Sequence, residues 1–120
     1  VSGAATSVAA IKLRRADNIL EITFEDSHVI LLPAEYLRVE SPSAELQGHH
    51  PTERKIIGGK ALVGISAIIP TGNYAIRLQF SDGHDTGIYS WDYLHTLGRE
   101  HNSRWRRYLA DLEAAGLTRE

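Results

Sequence analysis

Cysteine is missing from the chain, and so is methionine. Without a thiol the protein forms no disulfide, no thiolate metal cage, no cysteine nucleophile and no direct cysteinyl ligation of an iron–sulfur cluster. Charge of either sign is also scarce in excess: 13 basic residues face 15 acidic ones, for a net charge of -2 and a pI near 6.3. That balance leaves no global field to hold a polyanion, which argues against nucleic acid as a partner. No apolar run approaches the roughly 20 residues of a spanning helix, and the start at Val1–Ser7 lacks the basic and apolar blocks of a secretory signal. A cytoplasmic protein without a membrane partner is the expectation. At 120 residues, 42% apolar and 23% charged, the chain fits one domain with a real core.

Familiar catalytic patterns are absent as well. Gly64-Ile65-Ser66-Ala67 lacks the second glycine of a nucleophile elbow, and Gly58-Gly59-Lys60-Ala61 lacks the glycine spacing and the hydroxyl residue of a phosphate loop. No histidine is followed two residues later by an acid, as an iron(II) facial triad usually requires. Asp26-x-His28 and Asp82-x-His84 run in the reverse order, across expected turns.

What the sequence does contain is a repeat. Leu20, Ile22, Phe24, Asp26 and His28 return 56 positions later as Ile76, Leu78, Phe80, Asp82 and His84. After a one-residue slip, Pro33 to Leu37 is answered by Ser90 to Leu94. The duplicated unit reads as strand, tight turn, strand and short helix. The alternation predicts strands over Ala10–Arg14, Ile19–Phe24 and His28–Leu32, then a short helix Ala34–Arg38; Leu62–Ile69, Tyr74–Phe80 and Gly87–Tyr89 form the second set. Asp82-Gly83 is the strongest hairpin signal and predicts a type I′ turn. Ser90 should cap a helix through Leu97 that Gly98 ends. A final helix from Asn102 or Ser103 to Ala115 carries Trp105, Leu109 and Leu112 at helical spacing, with Tyr108 beside them, Gly116 as its stop, and Arg104, Arg106 and Arg107 mostly on its other faces. The expected fold is α+β: two β-rich repeats, about 10–38 and 62–97, with a C-terminal helix at about 102–115 packed on the sheet. Between the repeats, residues 39–60 show no sustained period, and a connection that long is often functional.

Two sets of residues are candidates for a site. Six histidines occur, and His49, His50 and His84, completed by Glu45 or Asp85, make an oxygen and nitrogen donor set for zinc or iron. The bland alternative has His84 flanking a turn and bonding a neighbour. Tyr89, Trp91 and Tyr93 form an aromatic patch that is either core or, beside Arg77 or Arg38, a protein-binding surface.

From Phe80 to Leu94 the chain closely resembles the signature of the gamma-butyrobetaine hydroxylase-like N-terminal domain family, with support from Tyr36 to Glu45. The resemblance extends over roughly Ile11 to Leu97. It implies a module that, in zinc-binding members, holds a structural zinc through a Cys-x-Cys-x-x-Cys cluster and one histidine and helps form a homodimer. On matching positions the cysteines fall at Ser41, Ser43 and Leu46, and the histidine at His84. Three of the four ligands are therefore lost, which resembles a bacterial stand-alone branch carrying Ser-Pro-Ser-Ala-Glu there. Related modules joined to iron–sulfur ATPases imply a place in iron–sulfur or metal handling.

The expectation is thus a non-catalytic adaptor that expects no cofactor and binds a protein partner, with Arg38, Ser41, Pro42, Ser43 and Trp91 on the binding face. A metal-binding protein using the histidines above is the competing class, and a small enzyme of unknown reaction the third.

Overall fold

Alternation in each repeat produces a three-stranded antiparallel meander. The computed structural model describes residues 7–43 and 56–120. Strands β1 (Val8–Arg14), β2 (Ile19–Phe24) and β3 (Val29–Pro33) pair in the order β1-β2-β3; β4 (Ile65–Thr71), β5 (Ala75–Phe80) and β6 (Ile88–Ser90) pair as β4-β5-β6. Each meander runs directly into a helix, α1 (Ala34–Val39) or α2 (Trp91–Arg99), and α3 (His101–Ala115) follows α2. The fold is α+β, with the C-terminal helices packed on the sheets.

The central strands put one face inward. Leu20, Ile22 and Phe24 of β2 and Ile76, Leu78 and Phe80 of β5 are buried and meet in one core with Leu32, Tyr36, Tyr89, Leu94 and Leu97. Each such side chain contributes about 1.5–3 kcal/mol on burial, and the two repeats share that gain in a single cluster. The duplication extends to irregularities. Both first strands carry a bulge, between Val8 and Ala10 and between Ile65 and Ala67. Proline is accommodated in β4, where Pro70 sits opposite Ile76, because β4 is an edge strand and its missing N–H is not needed for the ladder.

Several boundaries differ from expectation for physical reasons. The turn after β5 is not type I′: only Gly83 has positive φ (91°), and Gly83 N–H donates to Phe80 O while Phe80 N–H donates to His84 O. This is a three-residue loop closed by one left-handed residue. Its counterpart after β2 uses Ser27, at φ 76°, with the same pair of backbone bonds on Phe24. Leu62 lies before β4 and is 90% exposed. Ser90 does cap α2, its Oγ accepting the Tyr93 N–H at 3.1 Å. Gly98 does not end that helix, which runs on to Arg99; a Cβ at Gly98 would lie 2.9 Å from Ile30, so glycine is there for close packing. Helix α3 begins at His101 and ends at Gly116, in the left-handed conformation. Its inward residues are Trp105, Tyr108 and Leu112, which close on Val39, Ile56 and Ile57, while Leu109 faces solvent. Tyr108 donates to Ile57 O at 2.6 Å, and burial pushes its phenol up to about 12. Among the described residues no helix is long and apolar enough to cross a membrane.

Candidate functional site

The turn after β5 projects into the end of α1, and four of the residues singled out from the sequence, Arg38, Ser41, Ser43 and His84, meet there. Asp82 Oδ1 accepts the His84 N–H at 3.1 Å, the self-bonding that short acidic side chains supply in turns. Its other oxygen accepts Arg38 Nε of α1 at 2.8 Å and Lys60 Nζ at 2.5 Å. Partial burial alone would raise the Asp82 carboxyl, but the bonds from Lys60, the His84 amide and Arg38 prevail and hold it down to about 2. Two cations thus share one carboxylate. Arg38 is buried, and its Nη1 is a buried donor with no hydrogen-bond partner among the described residues.

Beside this pair, Ser41 Oγ and His84 Nε2 share a hydrogen bond of 3.0 Å, both residues being buried. Ser43 N–H donates to Ser41 Oγ at 3.3 Å, and Ser43 Oγ and Thr86 Oγ1 are 2.7 Å apart. A Cβ at Gly87 would come within 2.5 Å of Ser41 Oγ, so the chain approaches this closely only because residue 87 is glycine. Pro42 is half-buried against the same glycine. These contacts place Ser41, Ser43 and His84 together, as the zinc-binding pattern requires of those positions. The donors do not fit zinc: the two serine hydroxyls are neutral and already occupied, where a structural site uses thiolates and imidazoles.

Asp85 is adjacent to His84 but points the other way. Its side chain is half exposed, 3.9 Å from Arg77 Nη1, while His84 is turned inward. His49, His50 and Glu45 lie outside the described residues. Among the described residues no group of three or more histidine or acidic side chains gathers as a metal site.

The aromatic patch divides. Tyr89 is buried, its hydroxyl donating to Leu37 O at 2.5 Å. Trp91 is half-buried, and its Nε1 donates to Asn73 O at 3.0 Å, which pins the indole at the β4–β5 turn. Around it lie exposed apolar residues the sequence reading did not single out: Tyr74, 61% exposed, whose carbonyl accepts the Trp91 N–H, and Ile88, 48% exposed and paired across the sheet with Arg77. Of the residues assigned to a binding face, Arg38, Ser41 and Ser43 are buried in this junction, whereas Trp91 reaches the surface.

The first repeat builds a counterpart with different side chains. Asp26 Oδ1 accepts the His28 N–H at 3.1 Å and also His28 Nδ1 at 2.5 Å, and His95, matched to Arg38 in the repeat, lies edge-on to the His28 ring at 5.5 Å. The hydrogen bonds from the His28 amide and ring lower the Asp26 carboxyl. This cluster was open to detection from the repeat itself, which aligns Asp26-x-His28 with Asp82-x-His84. Lys60 carried no such signal.

Two tandem meander-and-helix units wrapped about one core, with a hydrogen-bonded Ser41–His84 junction, define the class of module. The chain belongs to the gamma-butyrobetaine hydroxylase-like, N-terminal family, which matches residues 11–95. It is similar to two proteins with NMR solution structures, one 44% identical with a TM-score of 0.84, covering 100% of this chain and 90% of that one. The other is 43% identical with a TM-score of 0.81, over 95% and 90% of the two chains. A crystal structure of a protein of unknown function in the DUF971 family, from Acidithiobacillus ferrooxidans, is 36% identical with a TM-score of 0.68, over 81% of this chain and 98% of that one. No curated protein matches the chain.

Proposed function

We propose that the protein is a non-catalytic binding module that docks a protein partner through the β6 side of the second repeat. The observation that carries this reading is the grouping of Tyr74 and Ile88, both exposed, with Arg77 and a hydrogen-bonded Trp91. Aromatic residues and arginine dominate the energy of protein interfaces, because they supply large rigid area together with a polar handle. The core and the Ser41–His84 junction hold this face in place without forming part of it. The family resemblance supplies the partner class, a protein of iron–sulfur or metal handling.

Affinity capture from cells expressing the untruncated chain tests the reading. A metal-handling protein should be retained by the native chain and at least tenfold less by Tyr74→Ser and Ile88→Ser, two exposed positions whose replacement leaves the core intact. Equal recovery by the variants, or recovery of no such protein, overturns it.

A further inference from the structure

A groove lies at the seam of the repeats, away from the Trp91 face, where the β1–β2 turn meets the start of β4. Its volume is about 270 Å³, just below the roughly 300 Å³ at which pockets for drug-sized ligands begin, so it suits a small molecule. One wall is apolar, from Leu13 and Ile65; the other carries Arg15, Asn18, Ser66 and Ser81. The Ser66 O–H is spent on Gln79 O at 3.1 Å, but the other donors on that wall are underused. Arg15 spends one donor on Ile65 O at 3.4 Å and pairs with no described carboxylate. Ser81 Oγ accepts the Gly64 N–H at 2.9 Å, which leaves its own O–H to donate. Asn18 holds the left-handed conformation at φ 53°, and its Oδ1 would be 3.3 Å from a Cβ at residue 64, so the missing side chain of Gly64 brings the carboxamide against the groove wall. No acidic side chain lines the groove.

A guanidinium, a carboxamide and a hydroxyl facing one small space, with no carboxylate lining it to compete, are the donor types that suit an oxyanion. The geometry points to a binding site for a small organic acid, with its phosphate or carboxylate group on Arg15, Asn18 and Ser81 and its apolar part against Leu13 and Ile65. This site is independent of the docking face.

Amide NMR spectra of the full chain, titrated separately with inorganic phosphate and with butyrate at constant ionic strength, test the assignment. Saturable shifts are expected at Asn18, Gly64, Ser66 and Ser81. Arg15→Gln should weaken binding at least tenfold with the rest of the spectrum unchanged, and Arg15→Lys should retain part of it. Saturation by phosphate alone supports the site and identifies a phosphate ester; saturation by butyrate alone, or by both, supports it and identifies a carboxylate or a general oxyanion receptor. Failure of both probes to saturate, or saturation that Arg15→Gln leaves unaltered, overturns the proposal.

Discussion

Tyr36 and Tyr93, 57 positions apart, each donate a hydrogen bond to the end of the other's helix. Tyr36 Oη reaches Leu97 O at 2.7 Å, and Tyr93 Oη reaches Glu40 O at 2.5 Å. Since Leu97 and Glu40 are also 57 positions apart, the exchange is reciprocal, and the two repeats lock each other about a pseudo-two-fold axis. Removing either hydroxyl should therefore weaken the whole fold. Tyr36→Phe, at a fully buried site, should lose about 1–3 kcal/mol by leaving a buried carbonyl unsatisfied, and the half-buried Tyr93→Phe about 0.5–1.5 kcal/mol. Urea denaturation at constant m-value gives both numbers.

Equivalent turns offer a matched pair of backbone tests. Ser27 adopts φ 76° where the second repeat has Gly83 at φ 91°. Ser27→Gly should gain about 0.5–1 kcal/mol by relieving the left-handed strain. Gly83→Ala should lose about 1 kcal/mol, although a Cβ there meets nothing within 4 Å. Thermal melts of the two variants should thus move in opposite directions.

Acid should loosen the junction through Asp82. Its folded carboxyl sits near 2 against an ordinary value of 3.8. A depressed folded value means the contribution is present above the unfolded pKa and disappears as pH falls from about 4 to about 2. The amount is on the order of 1 kcal/mol once solvent screening is allowed for. Asp82→Asn should be less stable at neutral pH and should flatten the acid limb of the stability curve, measured by urea midpoints from pH 2 to pH 7.

At the Ser41–His84 pair, packing and metal chemistry predict different results. Gly87→Ala should lose about 1–3 kcal/mol because its Cβ runs into Ser41 Oγ. In a Ser41→Ala background the same change should cost less, and the double-mutant cycle measures the coupling. Chelator should leave the melting temperature of the native chain where it was, as expected for a junction held by hydroxyls. A fall of several degrees on chelation would contradict that account.

The repeat, the strands and the capping of α2 by Ser90 were legible because they rest on local patterns: period-two alternation, turn residues and an N-cap. Gly98 was misread because glycine has two unrelated uses, and only the position of Ile30 shows which applies. Spacing puts Leu109 on the inward face with Tyr108 beside it, yet α3 buries Tyr108 and leaves Leu109 to solvent, since the surface it covers includes Ile56 and Ile57 beyond the repeats. Lys60 in the Asp82 network and the seam groove had no sequence signal, because their partners come from separate elements.

Composition and repetition alone determined that thiol chemistry is excluded and that a β-rich unit is used twice, for these are properties of which residues occur and at what interval. The direction each side chain takes was decided only by the fold. His28 and His84 occupy the same place in the repeat, yet one ring turns to Asp26 and the other to Ser41. The reason is that each turn packs against the helix of the opposite repeat, and those helices present His95 in one case and Arg38 in the other.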